Sequence, residues 1–150
     1  MSPAGSARAK ATSPKSAKEQ ELDGYPTCKD FANLLTNALA SFPQSEPVSK
    51  QACSAIWTMV KDNPGGKTAA VEAGIMPHLA KLFRKFKTSA LVHRQLLAAV
   101  WGLVSRSRLG KDAAYEARIL PLVVKVLEDD IDDEVVQERA CGVLACLINE

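Results

Sequence analysis

The chain has 150 residues, with 19 Lys and Arg against 17 Asp and Glu. That is long enough for one domain that buries about two-thirds of its unfolded surface without disulfide or metal staples. The longest apolar stretches, such as Ile119 to Leu127, are broken by residues like Pro121 and Lys125 and fall short of the ~20 residues of a membrane-spanning helix, which excludes a membrane span. Residues 1–22 hold four cations and two acids, so 15 of each sign remain in the rest of the chain, and a neutral body of this kind argues against nucleic-acid binding.

Taken in chain order, residues 1–22 are rich in Ser, Ala, Lys and Pro with almost no large apolar residue. They cannot offset their ordering entropy by burial, which predicts a disordered basic tail. The tail also lacks the apolar core of a secretory signal, so cytoplasmic or nuclear residence is expected. Ser2-Pro3 and Ser13-Pro14 resemble sites for proline-directed kinases. A first helix is expected over Lys29 to Phe42, able to cover one end of the structure. The four cysteines, Cys28, Cys53, Cys141 and Cys146, have no CxxC spacing and no neighbouring histidines, so reduced thiols in helical packing are predicted.

From Val48 onward the chain repeats itself. Shifting Gln51 through Arg84 by 44 residues matches 13 of 34 positions, among them Gln51, Trp57, Gly66, Lys67, Glu72, Ile75, Pro77 and Lys81. Unrelated segments would match at about two, given average residue usage of about 6%. A second shift carries Val48 to Val92 to Val136, Ala52 to Leu96 to Ala140, Ile56 to Val100 to Leu144, and Val60 to Val104 to Ile148, all apolar. Shifting backward brings Phe31, Leu35 and Leu39 under Ile75, Leu79 and Phe83. One degenerate unit, one full unit and a third unit follow, over residues 23–63, 64–107 and 108–150.

Each unit reads as helices. Ala52, Ile56, Met59 and Val60 recur at spacings of three and four, the signature of one helical face. The chain then turns at "NPGGK", forms a short helix over Thr68 to Ala73, and breaks at Gly74. Pro77 opens the next helix, through His78 to Phe86, where a first-turn proline is tolerated.

Catalytic and metal patterns are absent from this reading. His78 and His93 have no metalloprotease spacing and are expected at the surface or at helix caps. "NPGGK" lacks the phosphate-loop spacing and a preceding strand. "EDDIDDE" lacks the staggered ligands and central glycine of a calcium loop. It reads as a solvated loop whose last acids cap the following helix. No cofactor, metal site or catalytic residue is predicted.

The stretch "NPGGKTAAVEAGIMPHLAKLF" resembles the armadillo repeat family, with Asn63, Glu72, Ala73, Gly74, Ile75, Pro77, Leu79 and Leu82 at matching positions, and "VVQERACGVLACLIN" resembles that family's third helix. HEAT repeats share the stacked-helix logic and are the near alternative, supported by Asp133-Glu134-Val135 before a third helix. The resemblance implies an all-α, right-handed α-solenoid of about three repeats. Its third helices would line a concave surface that binds a protein or extended peptide. One repeat cannot bury its apolar face alone, so stacking supplies the core and leaves a ladder of equivalent surface residues.

Helical geometry selects that ladder. Opposite the core face of the first long helix stand Gln51, Ser54, Thr58, Lys61 and Asp62, then Gln95, Ala98, Gly102, Ser105 and Arg106 in the second unit, and Arg139, Gly142, Cys146, Asn149 and Glu150 in the third. Importin-α-type nuclear import receptors carry a Trp and an Asn on this face. Here Ser54, Ala98 and Gly142 occupy the Trp positions and Thr58, Gly102 and Cys146 the Asn positions, which argues against a generic receptor for nuclear-localisation signals. Trp57 and Trp101 lie about 100° from the core centre, placed either for packing between repeats or as partly exposed binding anchors.

Two loops carry opposite charge. Arg84, Lys85 and Lys87 stand one unit before Glu128, Asp129, Asp130, Asp132, Asp133 and Glu134. At an expected separation of ~10 Å between neighbouring layers these loops would attract modestly, within one molecule or between molecules, in a salt-sensitive way. At the far end Leu144, Leu147 and Ile148 are expected on an uncovered face, which points to self-association, a permanent partner or a longer repeat array. Three functions compete: a non-enzymatic scaffold or adaptor using the concave face, a structural subunit docking through the last repeat, and a helical-repeat enzyme of the lyase kind.

Overall fold

A computed structural model describes residues 24–149. The predicted tail and Glu150 lie outside the described residues. Within them the chain is all-helical, with eight helices and no strand. They are α1 (Cys28–Ser41), α2 (Glu46–Val60), α3 (Pro64–Glu72), α4 (Ile75–Lys85), α5 (Ala90–Val104), α6 (Arg108–Glu116), α7 (Ile119–Asp129) and α8 (Glu134–Ile148).

The 44-residue spacing holds in the helix bounds themselves. Adding 44 to α2 gives α5 and adding it again gives α8; the same step carries α3 onto α6 and α4 onto α7. The caps keep the step too. Ser45, Ser89 and Asp133 each accept a hydrogen bond from the amide three residues on, Val48, Val92 and Val136, at 3.2, 3.3 and 3.1 Å. Such caps satisfy amides that a helix start leaves unpaired. At α1 the cap is reciprocal: Thr27 Oγ1 accepts from the Asp30 amide while Asp30 Oδ2 accepts from the Thr27 amide at 2.9 Å.

The "NPGGK" stretch is not a free turn, because α3 already begins at Pro64. Asn63 explains the earlier start: its Oδ1 accepts from the Gly66 amide at 3.1 Å while its Nδ2 donates to the Met59 carbonyl at 3.1 Å. The same side chain thus ends α2 and begins α3. Likewise α4 begins at Ile75, three residues before His78.

Packing follows three rows. The 15-residue helices lie side by side, α2 along α5 and α5 along α8, while α3 packs beside α6 and α1, α4 and α7 form the third row. Ten of the 15 residues of α5 are buried, which makes it the middle layer, covered on both sides. The core runs continuously from Leu39 through Ile56, Ile75, Leu79, Leu96, Val100 and Ile119 to Val143 and Leu147. The expected uncovered end is narrower than predicted: Leu147 is 2% exposed and Leu144 packs partly against the core, leaving Ile148 at 73%.

Two left-handed positions also recur. Asp62 and Arg106 have φ of 51° and 53°, and Gly74 and Arg118 have 77° and 58°. Glycine adopts this backbone freely, whereas another residue loses roughly 1–2 kcal/mol. A Cβ at Gly74 would meet nothing within 4 Å, so the cost there is conformational rather than steric. Chemical denaturation of Arg118→Gly is expected to show a gain of about 1 kcal/mol; a loss would contradict the left-handed assignment at Arg118.

Candidate binding surface

The ladder positions on α2, α5 and α8 divide into two sets. Ala98 is 6% exposed and Gly102 is also buried, contrary to the expectation that both face a partner. The neighbours of Gly102 explain its burial. A Cβ at Gly102 would lie 2.7 Å from Val60 Cγ2 and 3.1 Å from Trp57 Cε3, and one at Gly142 would lie 2.5 Å from Trp101 Cζ2. Each indole therefore lies on the bare backbone of a glycine in the next long helix. Trp57 and Trp101 pack between layers, the first of their two expected placements, and each remains partly exposed.

The remaining ladder residues keep some access to solvent. Gln51, Thr58, Lys61 and Asn149 are exposed, and Ser54, Gln95, Ser105, Arg139, Gly142 and Cys146 are partly so. Several are engaged: Thr58 Oγ1 donates to the Ser54 carbonyl at 3.1 Å, and Arg139 Nη1 donates to the Arg94 carbonyl across α5 and α8. A groove of about 220 Å³ opens among Trp57, Lys61, Asp62, Lys67, Trp101, Gly102 and Ser105. The Lys61 ammonium stands 5.4 Å from the Trp57 ring centroid, within the range of a cation–π contact.

Lys67 was not on the expected surface. It projects from α3, is only 8% exposed, and its Nζ donates to the Ser105 carbonyl at the end of α5. Lys111 does the same for α8, donating to the Asn149 carbonyl at 3.1 Å, and the Tyr115 hydroxyl donates to the Leu147 carbonyl. A cation suits these unpaired terminal carbonyls. The signal lay in the sequence, since Lys67 and Lys111 are one of the 13 matched pairs.

Of the two expected arrangements of the charged loops, pairing within one molecule is not found among the described residues. Arg84, Lys85 and Lys87 are exposed and make no ion pair among the described residues. The acids turn instead to the start of α5 and to their own helix. Asp130 pairs with His93, Asp133 with Arg94 at 3.0 Å, and Asp129 with Lys125 at 3.2 Å, while Glu128, Asp132 and Glu134 remain at the surface. The loop after α7 thus lies over the first turn of α5.

His93 is accordingly not a surface histidine. It is 1% exposed, its ring stacks on Phe83 at 6.4 Å between centroids, and its Nδ1 meets the Asp130 carboxylate. The equivalent residue 44 positions later, Gln137, donates to the Leu127 and Asp130 carbonyls at 3.0 and 3.1 Å. Both polar side chains thus reach the chain around Asp130, His93 from α5 and Gln137 from α8. His78 is partly buried, and burial together with the nearby Lys81 lowers its pKa.

The four cysteines are free thiols. Burial pushes the Cys53 thiol up to about 12, the opposite of an activated nucleophile. Among the described residues no cluster of three His, Cys, Asp or Glu side chains could hold a metal ion, and no helix is long and apolar enough to cross a membrane. Comparison of the chain with protein-family models, curated proteins and solved structures finds no match.

The Asp133 carboxyl is held below its ordinary value by the Val136 amide, helped by Arg94 and opposed by partial burial. A depressed carboxyl contributes stability above its unfolded value and loses it as pH falls through the folded value. Asn caps as well as Asp, so Asp133→Asn removes the charge and keeps the cap. Urea unfolding is expected to show the variant less stable than the parent at neutral pH and equal to it near pH ~2. A difference that persists unchanged in acid would contradict the role given to Asp133.

Proposed function

We propose that the chain is an armadillo-like α-solenoid of about three repeats, with HEAT-like repeats as the near alternative, and that it works as a non-enzymatic protein interaction module, a scaffold or adaptor of the cytoplasm or nucleus. Its partner is a protein or an extended peptide received along the face shared by α2, α5 and α8. What carries this reading is the pair of partly exposed indoles, Trp57 and Trp101, set 44 residues apart along one groove. Aromatic side chains that are held rigid yet open on one side are typical anchors of recognition. The equal step in helix bounds and caps supports the repeat reading.

The candidate groups for enzymatic chemistry are committed elsewhere. Cys53 is a buried, protonated thiol, and His93 points inward to Asp130. A second reading, a structural subunit docking through an end of the helix stack, is favoured by a different observation. Leu35, Ala38, Pro47, Val48, Gln51, Ala52 and Ala55 line an open apolar groove of about 610 Å³ between α1 and α2, and Ile148 stands exposed at the other end.

The chain has only two tryptophans, and both line the central groove, so emission excited beyond the absorption of its two tyrosines reports on the indoles of that groove. Peptides selected from a random displayed library are expected to shift the indole emission and to bind at least about tenfold more weakly to Trp101→Leu, about 1.4 kcal/mol. Binders that leave the emission unchanged would count against the groove and favour the apolar end.

A further inference from the structure

Lys67 has an unusual position for a lysine. Its ammonium has three donors, of which one reaches the Ser105 carbonyl. The side chain is 8% exposed, and it lines the groove between Trp57 and Trp101. Among the described residues no carboxylate forms an ion pair with it. A buried charge without a counter-charge is costly, and the cost is relieved when an opposite charge arrives with hydrogen-bond acceptors. The partial negative charge at the end of α5 offsets only part of a full positive one.

Lys111 provides an internal comparison. It makes the equivalent bond to Asn149 but remains more open to water, so solvent can serve its remaining donors. The residue equivalent to Trp57 and Trp101 on α8 is Ala145. The two indoles that wall Lys67 in thus have no counterpart beyond Trp101. Capping a helix end accounts for both lysines; it does not account for enclosing one of them in an aromatic groove.

The other groups that face the groove fix the sign and size of the ligand. Lys61 adds a second cation at the rim, over Trp57, and Asp62 is exposed beside it as the only acid. Among the described residues no arginine lines the groove. Clusters of arginine are the usual recognition device for a doubly charged phosphate on a peptide, whereas Lys67 and Lys61, offset by Asp62, leave one net positive charge, which the single charge of a carboxylate balances. The flanking indoles offer apolar surface to neighbouring side chains of the ligand.

We infer that the groove takes an acidic peptide, with the carboxylate of an Asp or Glu side chain received by Lys67 between Trp57 and Trp101. The inference rests on reading the groove as a peptide site and adds the charge class of the peptide. It also explains why the chain departs from the pattern of receptors for basic nuclear-localisation signals: the groove is cationic.

The test uses the two tryptophans of the whole chain as reporters. With each quenching constant divided by its value for free N-acetyltryptophanamide, iodide is expected to quench their emission several-fold more effectively than caesium, with neutral acrylamide as the accessibility standard. Lys67→Gln, which keeps a donor for Ser105 and removes the charge, is expected to bring iodide and caesium markedly closer together while leaving acrylamide quenching unchanged. Asp62→Asn is expected to widen the difference. Equal normalised quenching by iodide and caesium in the parent chain overturns the inference without need of any variant.

The peptides selected above provide the second arm. Replacing their Asp or Glu by Asn or Gln is expected to weaken binding at least tenfold on the parent chain and little on Lys67→Gln. Peptides that shift the indole emission but carry no essential carboxylate, or that bind better with phosphoserine in its place, overturn the inference and leave the peptide groove standing. Peptides that bind without any emission shift overturn the groove itself.

Discussion

The structure depends on one steric arrangement, an indole laid on a glycine between successive long helices. Trp57 meets Gly102 and Trp101 meets Gly142, and neither contact tolerates even a methyl group without movement. A half-buried indole contributes about 2–3 kcal/mol of apolar burial. The exposed ion pairs along α6 and α7, Arg108 with Asp112 and Lys125 with Asp129, belong to a class worth at most about 1 kcal/mol each. Apolar seating therefore decides how the layers approach, and the charges adjust to it.

That arrangement also decides what the surface can do. Gly102, lying under the Trp57 indole, is withdrawn from the exposed face, whereas Gly142 under Trp101 keeps partial access to solvent. In return the indole itself becomes the feature on display, rigid because its other face is packed. The lysines of the short helices α3 and α6 close the carbonyl ends of α5 and α8. One of them ends up walled in beside the indoles. Packing and candidate recognition therefore use the same few residues, and a change to either tryptophan is expected to affect both.

Much of the architecture was legible in the sequence because duplication prints a period. The 44-residue match located the long helices and the breaks between them, and the structure repeats that step in its bounds, caps and left-handed residues. What could not be read depended on neighbours across layers. A wheel drawn for one helix placed Ala98 and Gly102 on the open face, but it carries no information about an indole arriving from the previous layer. The same blindness hid His93, whose burial depends on which loop lies over α5. Lys67 was visible as a repeated residue, yet its role required knowing that the end of α5 comes within reach of α3. The early start of α3 turned on Asn63 serving two helices at once, which a proline-glycine sequence disguises.

The most direct measurement of the central claim is a proton–proton Overhauser spectrum of the folded chain, read from the indole ring protons of its two tryptophans. The structure requires strong cross-peaks from Trp57 to the Gly102 α-protons and the Val60 methyls, and from Trp101 to the Gly142 α-protons, with ring-current shifts of both glycines. Indoles that show cross-peaks to unrelated residues, or glycines at unshifted positions, would contradict the layered arrangement and the groove built upon it.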